Sequence, residues 1–357
     1  MDALYELRIV DGPVAVACWA LGIGGAAALI MLAAFPGLRA WGRGFLLLVG
    51  AVVASAALTG VIHWLLIDVL NVFPEDLPIE VLVQSGIGVL GLVLAVTAII
   101  RLGLARRAWG RRVGAVASAA AMSLLAAQLI NTYFGLNLTL GDLAGVSIAR
   151  IRPLESALEK PAAPSVPLAA WTRPEGLPAN GELRTVQIPA PASGFKARAA
   201  YVYLPPAYFA STRPQLPVLL LIPGQPGNPS DWLSGGRLRL KLDHFAAEHG
   251  GVAPIAVVID PNGSPQANTM CMDTKNGRAE SYVVNDVVPW IRTHLSAAAD
   301  PRFWAVGGFS FGGTCSVQLI AKHPEIFTGA LGFAAELEPA MATDRAKTID
   351  LAFDGDA

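Results

Sequence analysis

Charge is scarce in this chain: only 15% of its 357 residues are Asp, Glu, Lys or Arg, and they nearly cancel to a formal net charge of −1. A chain so close to neutral has no basic footprint for a phosphate backbone, and nucleic acid is set aside as a partner. Histidine is sparse too, with five in all, and only His323 follows residue 310. There are three cysteines. No metal and no cofactor is expected. Most telling is where charge is missing. Residues 14–35, 44–67, 81–100 and 113–134 contain no Asp, Glu, Lys or Arg, and each matches the ~20 residues a helix needs to cross a bilayer core.

These four stretches predict four transmembrane helices, because buried helices of a soluble bundle would show a polar stripe that is missing in the first three. The first is too long, and lacks a basic n-region before it, to be a cleaved signal peptide. His63, beside Trp64 near the end of the second, fits an interfacial position. Arg39 and Arg43 lie between the first two helices, and Arg101, Arg106, Arg107, Arg111 and Arg112 between the third and fourth. The loop at Pro74-Glu75-Asp76 and the N-terminus with Asp2, Glu6 and Asp11 are acidic. The positive-inside rule then predicts a multi-pass protein of the cell membrane, with the N-terminus and everything after about residue 135 extracytoplasmic.

The boundaries read as a membrane domain at 1–140, a Pro/Ala-rich linker at 141–180 and a folded domain at 181–357. Within the last, alternation marks strands at 183–188 and 196–204, expected as an antiparallel hairpin at a sheet edge. Continuous apolar runs mark buried strands at 217–222, 255–259 and 304–309. Helices are predicted at 238–249, at 278–295 with a break at Pro289, and at 314–322, with a further strand at 329–335. Such recurrence implies an α/β fold with a doubly wound, mostly parallel sheet.

Gly308-Phe309-Ser310-Phe311-Gly312 comes after the apolar run Phe303-Trp304-Ala305-Val306 and precedes a helical pattern, which is the G-x-S-x-G setting of a nucleophile elbow. Ser310 is the candidate nucleophile. Acyl transfer also needs donors for the developing oxyanion, and the amide of Phe311, at the start of the following helix, is one candidate. A second glycine pattern, Gly86-Ile87-Gly88-Val89-Leu90-Gly91, fits the dinucleotide fingerprint but lies inside a membrane segment with no strand before it, so it reads as close helix packing. Cys18 lies in the first membrane segment, which leaves Cys271 and Cys315 in the outward domain. They are the disulfide candidate, with two separate buried thiols as the alternative.

Several further motifs resemble the esterase D and antigen 85 (mycolyltransferase) branch of the α/β-hydrolases. They are Tyr203-Leu204-Pro205-Pro206-Ala207-Tyr208, Glu280-Ser281-Tyr282 with Asp286-Val287-Val288-Pro289, and His323-Pro324-Glu325-Ile326-Phe327. The four-helix anchor resembles that of actinobacterial membrane-tethered esterases. Pro223-Gly224-Gln225-Pro226-Gly227 is similar to the oxyanion loop of such hydrolases, with proline where their histidine stands, and makes the Gln225 amide the second oxyanion candidate. The resemblance implies a catalytic acid and histidine many tens of residues after the serine. His323 falls at the far end of the helix that Ser310 begins, and His244, His249 and His294 precede the serine. Asp344, Asp350, Asp354 and Asp356 read as solvated. The expectation is therefore a C-terminally incomplete α/β-hydrolase domain, inactive as it stands, over a degenerate enzyme or one with a non-standard base. The expected function is a serine esterase acting on an acyl ester, lipid-like and from the cell envelope, at a membrane bilayer. An acyltransferase and a non-catalytic binding protein are the alternatives.

Overall fold

The computed structural model describes residues 2–33, 41–70, 72–73, 76–103, 108–160, 163–342 and 344–354. Arg39, Pro74, Glu75, Arg106, Arg107 and Asp356 lie outside the described residues. The chain forms two compact units, one up to Ser147 and one from Ile148 onward.

The first unit contains α1 (Gly12–Ala33), α2 (Trp41–Trp64), continued by a π-helical turn at Leu65–Val69, α3 (Ile79–Leu102) and α4 (Trp109–Phe134). All four helices are long and apolar enough to cross a membrane. Their outer surfaces carry exposed Val16, Leu21, Phe45, Val53 and Ile100, the reverse of a water-soluble bundle. Small residues bring the backbones together. A Cβ on Gly25 would lie 2.8 Å from the Ser118 carbonyl oxygen, and one on Gly91 would lie 2.9 Å from Met122 Cβ. Gly88 sits against Ala126 in the same way, so the glycines of the 86–91 motif serve helix packing. At the end of α2, the His63 ring meets the Asp76 carboxylate at 3.2 Å.

The second unit is built on a sheet that, among the described residues, has seven strands: β1 (Arg152–Pro153), β2 (Glu182–Val186), β3 (Ala200–Leu204), β4 (Val218–Ile222), β5 (Ile255–Val258), β6 (Trp304–Phe309) and β7 (Gly329–Phe333). Their order is β1-β2-β3-β5-β4-β6-β7. All pairings are parallel except β2 with β3 and β3 with β5. Val218, Leu220, Ile222, Val257, Trp304 and Val306 point to one face, and Leu221, Ala256 and Val258 to the other. This double burial is why the central strands read as unbroken apolar runs. Each large side chain so buried contributes about 1.5–3 kcal/mol. The second face is covered by α5 (Leu238–Glu248). The first is covered by α6 (residues 279–294) and by α7 (Phe311–Lys322).

Several expectations are corrected. The hairpin β2–β3 is not at the sheet edge, because β1 pairs outside it, and β1 comes from the stretch read as a linker. Leu154, Leu158, Leu168 and Trp171 of that stretch pack on the main core, and Ser165–Pro167 pairs with Arg213–Gln215. Helix α6 is not broken at Pro289. It runs from Ala279–Ser281 through a π turn at Tyr282–Val287 into Val288–His294. The widened turn lies just ahead of the proline, whose missing N–H cannot join an ordinary helical ladder. A helix not expected from the sequence, α8 (Arg345–Phe353), has Asp344 as its N-cap, accepting a hydrogen bond from the Lys347 amide.

Candidate active site

Strand β6 delivers its last residues to the carboxyl end of the sheet, and α7 starts one residue later. The turn is tight because three glycines let backbone meet backbone. A Cβ on Gly308 would fall 2.1 Å from the Gly312 carbonyl, one on Gly312 2.2 Å from the Ile222 oxygen, and one on Gly313 2.7 Å from the Phe333 oxygen. The expected helix start at 314 is thus three residues late: Gly312 and Gly313 are helical, and glycine there answers packing. Ser310 stands at the apex with φ 53° and ψ −122°, a conformation that costs a non-glycine residue of the order of 1–3 kcal/mol. It is held there by its own amide, which donates to the Phe333 carbonyl at 2.8 Å, and by its carbonyl, which accepts from the Thr314 amide at 3.0 Å.

The first amides of a helix have no intrahelical acceptor and carry the positive end of its dipole. Phe311, the first residue of α7, is buried, and among the described residues nothing accepts a hydrogen bond from its amide. The loop after β4 passes beside the serine: a Cβ on Gly224 would lie 3.8 Å from Ser310 Cβ and 3.5 Å from the Phe309 oxygen. Gln225 follows. Its side-chain amide donates to the Gln266 carbonyl at 3.0 Å, and its own backbone amide has no acceptor among the described residues. Ser310, Phe311 and the loop carrying Gln225 are therefore neighbours.

Cys271 and Cys315 are joined as a disulfide with Cα atoms 5.4 Å apart. The link ties the loop after β5 to the first turns of α7. Gln318 reinforces it by donating to the Met270 carbonyl at 3.2 Å. A small pocket on this side is lined by Asn268, Met270, Phe311, Thr314, Gln318 and Glu336, among others.

The histidines of this unit are engaged elsewhere. The His323 ring lies 3.0 Å from a Glu280 carboxylate oxygen and 3.2 Å from one of Glu325. From the far end of α7 it is separated from Ser310 by about 18 Å of helix, at ~1.5 Å per residue. His249 stacks on Phe245, His294 stacks on Trp290, and His244 is exposed beside Glu248. Of the later acids, Asp344 caps α8 and Asp354 pairs with Lys275. Among the described residues, no group of three or more His, Cys, Asp or Glu could hold a metal ion.

Sequence reasoning missed a densely bonded pair that reaches the loop carrying Gln225, Arg198 with Asp260. Asp260 is fully buried and accepts from the Arg198 Nε at 2.6 Å and Nη2 at 2.9 Å. The available signal was a carboxylate directly after the apolar run Ile255–Ile259. Burial raises two neighbouring groups. It pushes the Asp231 carboxyl up, against the Asn228 amide and Arg198, which pull it down. It also pushes up the Tyr282 phenol, aided by the charges of Asp260 and Asp286.

A family model described as "Putative esterase" matches residues 196–348, the span from Arg198 through Ser310 to α8. The match covers less than half of the chain and holds the greater part of the mostly parallel sheet. An uncharacterized protein of Corynebacterium glutamicum is 42% identical over 164 residues, which are 46% of this chain and 38% of that protein, so the chain spans well under half of the curated relative it matches. Among solved structures, a ferulic acid esterase is similar at 20% identity and a TM-score of 0.39, covering 44% of this chain and 58% of its own. An S-formylglutathione hydrolase from Staphylococcus aureus overlaps at 17% identity and 0.34, covering 45% and 62%.

Proposed function

We propose that the esterase-like domain is a serine carboxylic-ester hydrolase in which Ser310 is the nucleophile. The carrying observation is the strained serine at the junction of β6 and α7, with a free helix-start amide next to it. In the reaction, Ser310 Oγ bonds to the ester carbonyl carbon as its proton passes to a base. The amides of Phe311 and Gln225 hold the oxyanion, and collapse expels the alcohol, which takes up the proton. Water then attacks the acyl-enzyme, releasing the acid and restoring the serine. An alcohol in place of water would make the same intermediate a transferase, and product analysis separates the two.

The substrate we assign is lipid-like, from the cell envelope. Support comes from the apolar rim beside the nucleophile: Phe309 is 48% exposed and Phe333 52%, although both flank a polar reaction centre. The four apolar helices would anchor the protein in the cell membrane, with the esterase-like domain extracytoplasmic, a compartment that permits the Cys271–Cys315 disulfide.

The direct test is a fluorophosphonate probe on the full-length protein in detergent micelles. Ser310→Ala is expected to abolish labelling. Labelling that survives this change would remove the nucleophile assignment, and an unlabelled wild type would favour a binding role for the fold, which the engaged histidines already make the second reading.

A further inference from the structure

Three segments meet on one side chain near the sheet's carboxyl end. Arg198, just before β3, donates from Nε and Nη2 to both oxygens of Asp260, and its backbone amide donates to Asp260 Oδ2 at 3.1 Å. The amides of Asn262 and Gly263 complete the shell of that carboxylate at 3.0 and 2.9 Å. Five donors saturate Asp260, so it is not available to orient a catalytic histidine. What it does is fix the guanidinium.

The other contacts of Arg198 all go to the loop after β4. Nη2 donates to the Gly227 carbonyl at 3.0 Å, and Nη1 donates to Asn228 Oδ1. Gly227 is packed on Gly224, since a Cβ there would lie 2.6 Å from the Gly224 oxygen, and the Gly227 amide is held by the Pro265 carbonyl at 3.0 Å. Gly224 in turn lies beside Ser310, since a Cβ there would stand 3.8 Å from Ser310 Cβ. A continuous set of contacts thus runs from a buried carboxylate, through a planar five-donor group, to the backbone beside the nucleophile.

We infer that Arg198, clamped by Asp260, is a positioning residue that sets the Gly224–Asn228 loop, and with it the Gln225 amide, at oxyanion distance from the Ser310 adduct. This rests on the reading of Ser310 as an acylated nucleophile. Oxyanion donors act over a narrow range, about 2.7–3.1 Å, and a displacement near 1 Å costs roughly a hundredfold in rate. A fork of donors fixed by a buried partner supplies that tolerance better than a loop resting on side-chain packing.

Arg198→Lys tests the assignment, because lysine keeps the charge against Asp260 and hence the fold, but cannot span Asp260, Gly227 and Asn228 together. In the full-length protein, fluorophosphonate labelling of Ser310 is expected to slow by about tenfold to a hundredfold. The melting temperature should hold, and hydrogen exchange should quicken at 224–228 alone. Unchanged labelling overturns the inference, as does exchange that quickens across the whole sheet with a lowered melting temperature. If the wild type takes no label, the esterase reading falls separately, and exchange decides the matter alone. Selective loosening of 224–228 supports the positioning role, and unchanged protection overturns it.

Discussion

Ser310 occupies a backbone conformation that glycine would adopt with less strain, and nothing in its side chain requires it: the hydrogen bonds that hold the turn come from its amide and carbonyl. The cost is borne because the turn is fixed on both sides, by Gly308 against Gly312 and by Phe333 against the serine amide. Strain at such a position is the usual accompaniment of a reactive group held out of the backbone's preferred wells. Ser310→Gly and Ser310→Ala both remove the hydroxyl, but only the first relieves the strain. The glycine variant is therefore expected to melt higher than the alanine variant, by about 2–4 °C for each kcal/mol relieved. Differential scanning of the two proteins in one detergent checks this, and equal melting temperatures would mean that the turn is not strained by its side chain.

At the scale of elements, the sheet edge is decided by electrostatics more than by pattern. Strand β1 is two residues long and would not form on propensity. It is held by the Leu154 amide, which donates to the Thr185 carbonyl at 2.9 Å, and by Arg184, nearly buried in β2, which reaches Glu155 Oε2 at 2.7 Å and also Glu182. The hydrogen bond from Arg184 is the main cause that keeps the Glu155 carboxyl below its usual range, against a smaller rise from burial. A depressed folded value gives stability that is present above the ordinary glutamate pKa, about 4.3, and is lost as pH falls through the lower folded one. Glu155 is half open to solvent, so the pair's contribution is small, under about 1 kcal/mol. Glu155→Gln should accordingly lower the stability gap between pH 7 and pH 3, with faster exchange of the Leu154 amide at neutral pH. A mutant whose acid loss matches the wild type would show that the pair does not hold β1. The contrast with the central strands explains what the sequence makes legible. The runs at 217–222, 255–259 and 304–309 name β4, β5 and β6 within a residue or so, because burial on both faces leaves an unbroken apolar signature. Strand β1 and helix α8 leave no such signature, the first being too short and the second resting on a cap and a few buried residues. The candidate site divides in the same way. Ser310 and Phe311 are marked by local glycine spacing, whereas Arg198 and Asp260 are 62 residues apart and become partners only through the pairing of β3 with β5.

For the whole molecule, the two units differ in where their apolar side chains lie: around α1–α4 many large ones face outward, whereas in the second unit most are buried against the sheet. We propose that one unit lies in lipid and the other in water, with loop charge setting the side on which the second lies. Arg111 and Arg112 open α4, while Asp76 lies between α2 and α3. On this proposal the positive-inside rule predicts Asp76 and the second unit on one side and the arginines on the other. Single cysteines at Asp76, Arg111 and the exposed Arg302, introduced with Cys18 replaced by alanine, test this with a membrane-impermeant maleimide on intact cells. Cysteines at 76 and 302 should label directly, and the one at 111 only after permeabilisation. The reverse pattern would place the Ser310 site in the cytoplasm, where reducing conditions would also leave Cys271 and Cys315 as thiols. Labelling at 302 without labelling at 76 would break the four-crossing arrangement itself, since the two crossings that separate them, α3 and α4, must return the chain to the same side.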